Sequence, residues 1–192
     1  GPEEIERAIT PRTKAIVPVH LEGQVCKMKE IKEIAEKHNL FIIEDFAQAI
    51  GASRDGKMAG TIGDVGCCSF YPAKVLGGIG NAGMVTTNDD SLADRIRSLR
   101  ANGLIGKNPD LENAEMGFQL EPDSIMAAVL SIKLKEIRKY ITRRGEIGEK
   151  YNQELSGLPI LLPTNHEGRI YQDYIVRVED KLEVASIELR KK

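Results

Sequence analysis

The chain has 192 residues, with 27 Lys and Arg against 29 Asp and Glu for a net charge of -2, and 41% of it is hydrophobic. That length and apolar content suit one globular domain, or one domain and part of another. The near-neutral charge gives no reason to expect a nucleic-acid or membrane-surface partner. No apolar run approaches the roughly 20 residues that span a bilayer, and nothing at the N-terminus reads as a signal peptide.

In chain order, residues 3–9 read as a short helix ending near Thr10-Pro11, and residues 14–19 (KAIVPV) as a short apolar strand followed by the loop His20-Leu21-Glu22-Gly23-Gln24. Met28, Ile31, Ile34 and Ala35 recur at helical spacing, which predicts an amphipathic helix over 27–38. Residues 40–45 (LFIIED) form a near-continuous apolar strand ending in two acids. Strand, helix and strand within so short a span make a βαβ unit, hence a parallel sheet buried on both faces. Further strands are expected at 65–70 and 83–87. Asn88-Asp89-Asp90 then caps a helix bearing Leu92, Ile96 and Leu99. A polar loop runs from Asn102-Gly103 to about Glu121, long enough to imply a function. Pro122 opens a long helical stretch with Ile125, Val129, Ile132, Ile137 and Ile141 on one face, bending near Gly145 or Gly148 and ending near Gly157. Residues 170–178 alternate as a strand, and a last helix begins at Lys181.

Gly1 enters the first helix with no lead-in and Arg190-Lys191-Lys192 stop in mid-helix, so both ends read as cut and a piece of a longer protein is expected. Of the three cysteines, Cys67 and Cys68 are adjacent on a strand and point to opposite faces. They do not bridge readily, and no spacing suggests a metal knuckle, so no metal and a reducing cytoplasm are expected.

In parallel α/β sheets ligands gather beyond the carboxyl ends of the strands. Three segments put polar groups there: His20, Asp45 with Gln48, and residues 69–74. Lys74 lies between the apolar run GCCSF and a glycine-rich loop, in SFYPAKVLGG, where an amine is either a salt-bridge partner or a reagent. Asp45, at the edge of an apolar layer, needs a cationic partner or serves to cap the next turn. A lysine that forms a Schiff base, an aspartate that keeps a pyridinium protonated and a serine that binds phosphate are together what a protein contributes to a pyridoxal phosphate site. His20 reads as structural, His38 as a solvated capping residue, and Arg143 with Arg144 as a solvated helix face. Gly77, Gly78, Gly80 and Gly83 either let the backbone pass close to a cofactor or make a plain tight connection.

The runs IIEDFAQAIGA, GTIGDVGCCSFYPAKVLGG, NAGMVTTND and ADRIRSLRANG, with PVHLEGQ before them and YIVRVED after, resemble the sugar aminotransferases of the DegT/DnrJ/EryC1/StrS group over essentially the whole chain. The resemblance implies the α/β fold-type-I architecture of aspartate aminotransferase, with a mostly parallel sheet, helices on both faces and the start of a small α+β C-terminal domain. Residues 1–138 would belong to the large cofactor-binding domain, and 139–192 to the linking helix and the small domain. It implies pyridoxal 5'-phosphate as cofactor, Lys74 as the catalytic Schiff-base lysine, Asp45 at the ring nitrogen, Gln48 at the ring hydroxyl and Ser69 at the phosphate. The implied reaction moves an amino group, from glutamate, onto a nucleotide-linked keto-sugar, in a cytoplasmic homodimer whose sites lie at the two-fold interface. Members begin well before the position of Gly1, and that preceding part carries a phosphate loop and a ring-stacking residue. Where members read Gly-aromatic-Asn-aromatic-Arg-Met, this chain has Gly117-Phe118-Gln119-Leu120-Glu121-Pro122. Gln119 would stand in for the asparagine that reaches the partner's phosphate, and Glu121 reverses a charge there. Glu22 replaces a common tyrosine. The alternatives are a sugar dehydratase, whose members carry histidine in place of Lys74, and a non-catalytic, regulatory or interaction protein that keeps the fold.

Overall fold

The computed structural model describes residues 1–103, 116–164 and 166–178. A short helix, α1 (Pro2–Ala8), leads into strand β1 (Ala15–Ile16), helix α2 (Met28–His38) and strand β2 (Phe41–Asp45). The hairpin β3 (Ser53–Arg54) and β4 (Lys57–Met58) precedes β5 (Val65–Ser69) and β6 (Gly83–Thr86). Helices α3 (Asp90–Arg100), α4 (Ser124–Lys135) and α5 (Ile137–Glu154) follow, then the small strands β7 (Ile160–Leu161) and β8 (Arg177–Val178).

The main sheet has the order β1-β2-β5-β6. β1 runs parallel to β2 (Ile16 opposite Ile42) and β2 parallel to β5 (Asp45 opposite Cys67), while β6 closes the edge antiparallel to β5 (Ser69 opposite Gly83). The strand expected over 14–19 narrows to two residues because Pro18 has no N–H to give the ladder; its carbonyl still accepts the Asp45 N–H, and an isolated bridge joins Val19 to Asp45. β2 is not buried on both faces as its composition suggested. Ile42 and Glu44 are buried, but Phe41 is 62% exposed.

The core gathers Ile16, Met28, Ile31, Ile34, Ile42 and Phe46 between α2 and the sheet. The apolar stripe predicted on α2 is the one that packs. At its end Asn39 takes the left-handed conformation (φ 51°) that closes a helix. Asp89 caps α3 as expected, accepting the Leu92 N–H at 3.0 Å. The β3–β4 hairpin turns on Asp55-Gly56, both at positive φ (51° and 74°), the dipeptide such a tight turn favours.

The long helix departs from expectation twice. It breaks at Glu136, not near Gly145 or Gly148. Gly148 is instead buried in mid-helix, where a Cβ would lie 2.5 Å from the Tyr171 ring, so the glycine serves close packing. The buried residues of α4 are Met126 and Leu130, whereas Ile125 and Ile132, from the expected inner face, are exposed. The strand expected over 170–178 reduces to β8, and the helix expected from Lys181 lies outside the described residues. None of the helices among the described residues is long and apolar enough to cross a membrane.

Candidate functional site

The carboxyl ends of β2 and β5 lie side by side, and alternation along a strand decides what they present. Asp45 pairs in register with Cys67, so these two side chains and Ser69 share one sheet face, while Ile42, Glu44 and Cys68 take the other. Burial, then the neighbouring Asp45 charge, raises the Cys67 thiol above its ordinary value, as expected for groups on one face. Burial pushes Cys68 up to about 12, which leaves it inert.

On the first face, Asp45 Oδ1 accepts the Ala47 N–H at 3.0 Å, so the turn-capping role considered for it is real. That bond engages one carboxylate oxygen; the other accepts no hydrogen bond from the described residues. Ser69 Oγ accepts the Tyr71 N–H at 3.2 Å, which orients the hydroxyl and leaves its own proton to donate. The chain then turns sharply: the Lys74 N–H donates to the Tyr71 carbonyl at 2.9 Å and the Gly78 N–H to the Phe70 carbonyl at 2.8 Å. Lys74 is half-buried, and among the described residues its amine has no ion-pair or hydrogen-bond partner. Gly77 and Gly78 favour the tight-connection reading, since a Cβ on either would strike Pro72 or Met126 within 2.3 Å. Lys133 of α4 donates to the Gly77 carbonyl and pins this loop from outside.

Ser69, Tyr71, Lys74, Gly83, Arg100 and Gln119 line one open groove. Asp45 lies one strand over on the same face and Gln48 in the following loop; neither is part of the groove wall. Gln48 Oε1 accepts the Glu22 N–H at 2.8 Å, so its amide NH2 is the end left to donate. Gln119 is exposed and bridges to Ala101. Glu121, the charge reversal, forms an ion pair with Arg100 at 3.2 Å with both side chains about half exposed, so its charge is answered locally.

On the second face a buried pair organises the floor. His20 and Glu44 are each 0% exposed. Glu44 Oε2 receives His20 Nε2 and the Gly60 N–H at 2.9 Å, and Oε1 receives the Ile62 and Gly63 N–H groups at 2.6 Å. Burial alone raises this carboxyl; the bonds from His20, Gly63, Gly60 and Ile62 together outweigh it and hold it below the ordinary value. The carboxylate favours a charged imidazole, but the Cys26 N–H points at His20 Nδ1 at 3.3 Å and needs a lone pair there. Burial favours the neutral ring, but the contacts with Cys26 and Glu44 outweigh it and raise His20 to about 9, and in either form Nε2 donates to Glu44. His20 is structural, as its sequence context suggested, and it is Glu44 rather than a loop residue that anchors it.

Three further residues do more than the sequence suggested. Glu22 is in the left-handed region (φ 56°, ψ 21°), which costs a non-glycine residue strain. Its Oε2 is buried with no hydrogen-bond partner among the described residues, and burial, then Asp173, raises the carboxyl against the opposing pull of Arg169 and Lys74. Arg144, expected on a solvated face, donates instead to the Tyr171 and Gln172 carbonyls at 3.1 and 2.9 Å. Arg143 does occupy such a face, paired with Glu146 at 2.8 Å. Gln172 is 6% exposed and reaches back to the Lys74 turn. Only for Glu22 did the sequence hold a signal, a carboxylate beside the glycine of a loop that follows a strand.

The α/β sheet places a lysine-bearing turn beyond the carboxyl end of one strand and a carboxylate at the end of the adjacent one, the region where such sheets gather ligands. The chain belongs to the DegT/DnrJ/EryC1/StrS aminotransferase family, whose model matches residues 1–191. It is 43% identical over 182 residues to a dTDP-3-amino-3,6-dideoxy-alpha-D-galactopyranose transaminase of Aneurinibacillus thermoaerophilus, covering 94% of this chain and 49% of that protein. It is 37% identical over 188 residues to a pleiotropic regulatory protein of Geobacillus stearothermophilus, covering 95% and 50%. Among solved structures, ntda from Bacillus subtilis with bound cofactor PMP superposes with a TM-score of 0.87 at 31% identity, over 96% of this chain and 42% of that one. The fold is that of these aminotransferases, and the chain spans about half the length of the relatives it matches.

Proposed function

We propose that this chain carries the ring-binding half of a pyridoxal-phosphate-dependent aminotransferase that moves an amino group, from glutamate, onto a nucleotide-linked keto-sugar. The observation that carries the reading is Lys74: a half-buried amine, unpaired among the described residues, in the turn that leaves β5, the strand paired with the one that ends in Asp45. The residues fit the group. Lys74 Nζ is free to form the covalent link, Asp45 keeps one oxygen for a ring N–H, Gln48 keeps its NH2 for the ring hydroxyl, and Ser69 keeps its O–H for phosphate. When bound, the cofactor supplies an aldehyde for an amine and a protonated ring that accepts the electron pair of a substrate carbon. Asp45 holds the ring nitrogen protonated, and Ser69 orients the phosphate. Lys74 Nζ would hold the cofactor and would serve as the base that moves the proton at the substrate carbon. Gln119, exposed beside the groove, is suited to reach a second subunit's phosphate.

The same reading takes residues 1–138 as part of the large domain and 139–192 as the linking helix and start of the small one, in a cytoplasmic homodimer without nucleic-acid or membrane partners. A dehydratase is disfavoured by lysine at position 74. A regulatory role that keeps the fold is favoured by one observation, the name of the Geobacillus relative. Incubation of the purified protein with pyridoxal phosphate and borohydride, followed by peptide mapping and an amino-transfer assay on nucleotide-linked keto-sugars, separates these readings. An adduct on Lys74 with amine transfer supports the enzyme. An adduct only on other lysines overturns the site, and an adduct without transfer supports the regulatory reading.

A further inference from the structure

Of the four backbone groups in the two peptides that flank the Lys74 side chain, three have a fixed partner. The Lys74 N–H goes to the Tyr71 carbonyl within the turn. The other two partners come from one side chain nearly a hundred residues away. Gln172 Nε2 donates to the Ala73 carbonyl at 3.0 Å, and Gln172 Oε1 accepts the Val75 N–H at 3.2 Å. A side-chain amide suits this task because it presents one acceptor and one donor side by side; a carboxylate presents acceptors alone and an ammonium donors alone. The amide is itself held. Arg144 of α5 fixes the Tyr171 and Gln172 carbonyls, and the Tyr171 ring lies against Gly148 of the same helix. A line of contacts therefore runs from α5 through residues 171–172 to the two peptides that aim Lys74.

We propose that Gln172 is a positioning residue for Lys74, clamping the peptides on either side of it so that the amine enters the groove in one direction. The consequence for catalysis rests on the reading of Lys74 given above, whereas the clamp itself is measurable without cofactor. A lysine displaced by about an ångström from its reacting partner loses up to about a hundredfold in rate while ground-state binding is kept.

The experiment compares Gln172→Leu and Gln172→Glu with the parent protein. In Gln172→Leu the Val75 amide should exchange roughly fivefold to tenfold faster, because its hydrogen-bond acceptor is gone. With cofactor and substrates, kcat should fall about tenfold to a hundredfold with KM changed by no more than about twofold. Gln172→Glu adds a signature that loss of packing does not give. Ionised, it leaves the Ala73 carbonyl facing a carboxylate; protonated, it regains one donor and one acceptor. Repulsion from that carbonyl pushes the ionised side chain off the Val75 N–H, so Val75 protection, relative to the parent at the same pH, should recover as pH falls, and it decides the matter if the leucine variant does not fold. Parent-like Val75 exchange in both variants overturns the clamp. Faster exchange with kcat and KM both at parent values overturns the positioning role. A parent protein that transfers no amine sinks the functional reading alone, since the exchange data still decide the clamp.

Discussion

Asp45 stands at a strand end and Lys74 in the turn beyond another, both half-buried, so altering them is a test of chemistry more than of folding. Lys74→Ala should remove the borohydride-trapped adduct and amine transfer while stability stays within about 0.5 kcal/mol, the usual range away from core features; circular dichroism melting and peptide mapping check both halves. Asp45→Asn keeps the shape but removes the charge at the ring. Several kcal/mol of transition-state stabilisation corresponds to roughly a thousandfold in kcat or more, and near-normal turnover would refute the pairing. Glu44 behaves in the opposite way. It is fully buried with four donors aimed at it, so Glu44→Gln sets an NH2 against N–H groups and should cost about 3–5 kcal/mol, as breaking a buried charge network does. Because its folded-state value lies below the ordinary 4.5, the stability it contributes is present above that pH and is lost as pH falls through the folded value. Acid titration of stability should therefore be steeper below about pH 4.5 in the parent than in Glu44→Gln. Lys74, Asp45 and Ser69 were legible because each sits where an apolar run meets a loop. Glu44 and Gln172 were not, because their partners lie 24 and 97 residues away in the chain and nothing local marks the pairing.

Elements were legible where one face alone is buried. The α2 stripe and the Asp89 cap follow from spacing and from a side chain that satisfies its own helix end. α4 was misread because it is apolar on nearly every side, so periodicity could not choose between Ile125 and Met126. The Asp55-Gly56 hairpin went unread although its turn dipeptide was present, because its flanking strands are only two residues long. The glycines of α5 make a paired test of what a glycine in a helix is for. At Gly145 a Cβ meets nothing within 4 Å, so Gly145→Ala should gain up to about 1 kcal/mol from helix propensity. At Gly148 the same gain is set against a ring 2.5 Å away, and overpacking of about 1–3 kcal/mol should leave Gly148→Ala less stable than the parent. Denaturant midpoints of the two variants moving in the same direction would show that Tyr171 gives way.

As a whole, the chain presents Ile125, Ile132 and Leu134 along α4 and Met84 and Val85 on the edge strand to solvent, an unusual amount of apolar surface for elements of one sheet protein. With that much apolar surface uncovered, we expect it to self-associate. Sedimentation checks this, and a monomer across the concentration range would contradict it. The contact between Gln172 and the Lys74 turn also sets an order in time. Ribosomes deliver the chain from its N-terminus, and a bond spanning 97 residues closes only after the intervening helices have emerged. The four strands of the main sheet, Glu44 and Lys74 are thus all synthesised well before the Gln172 amide arrives, so a nascent chain halted ahead of residue 172 would carry the amine without the means to direct it.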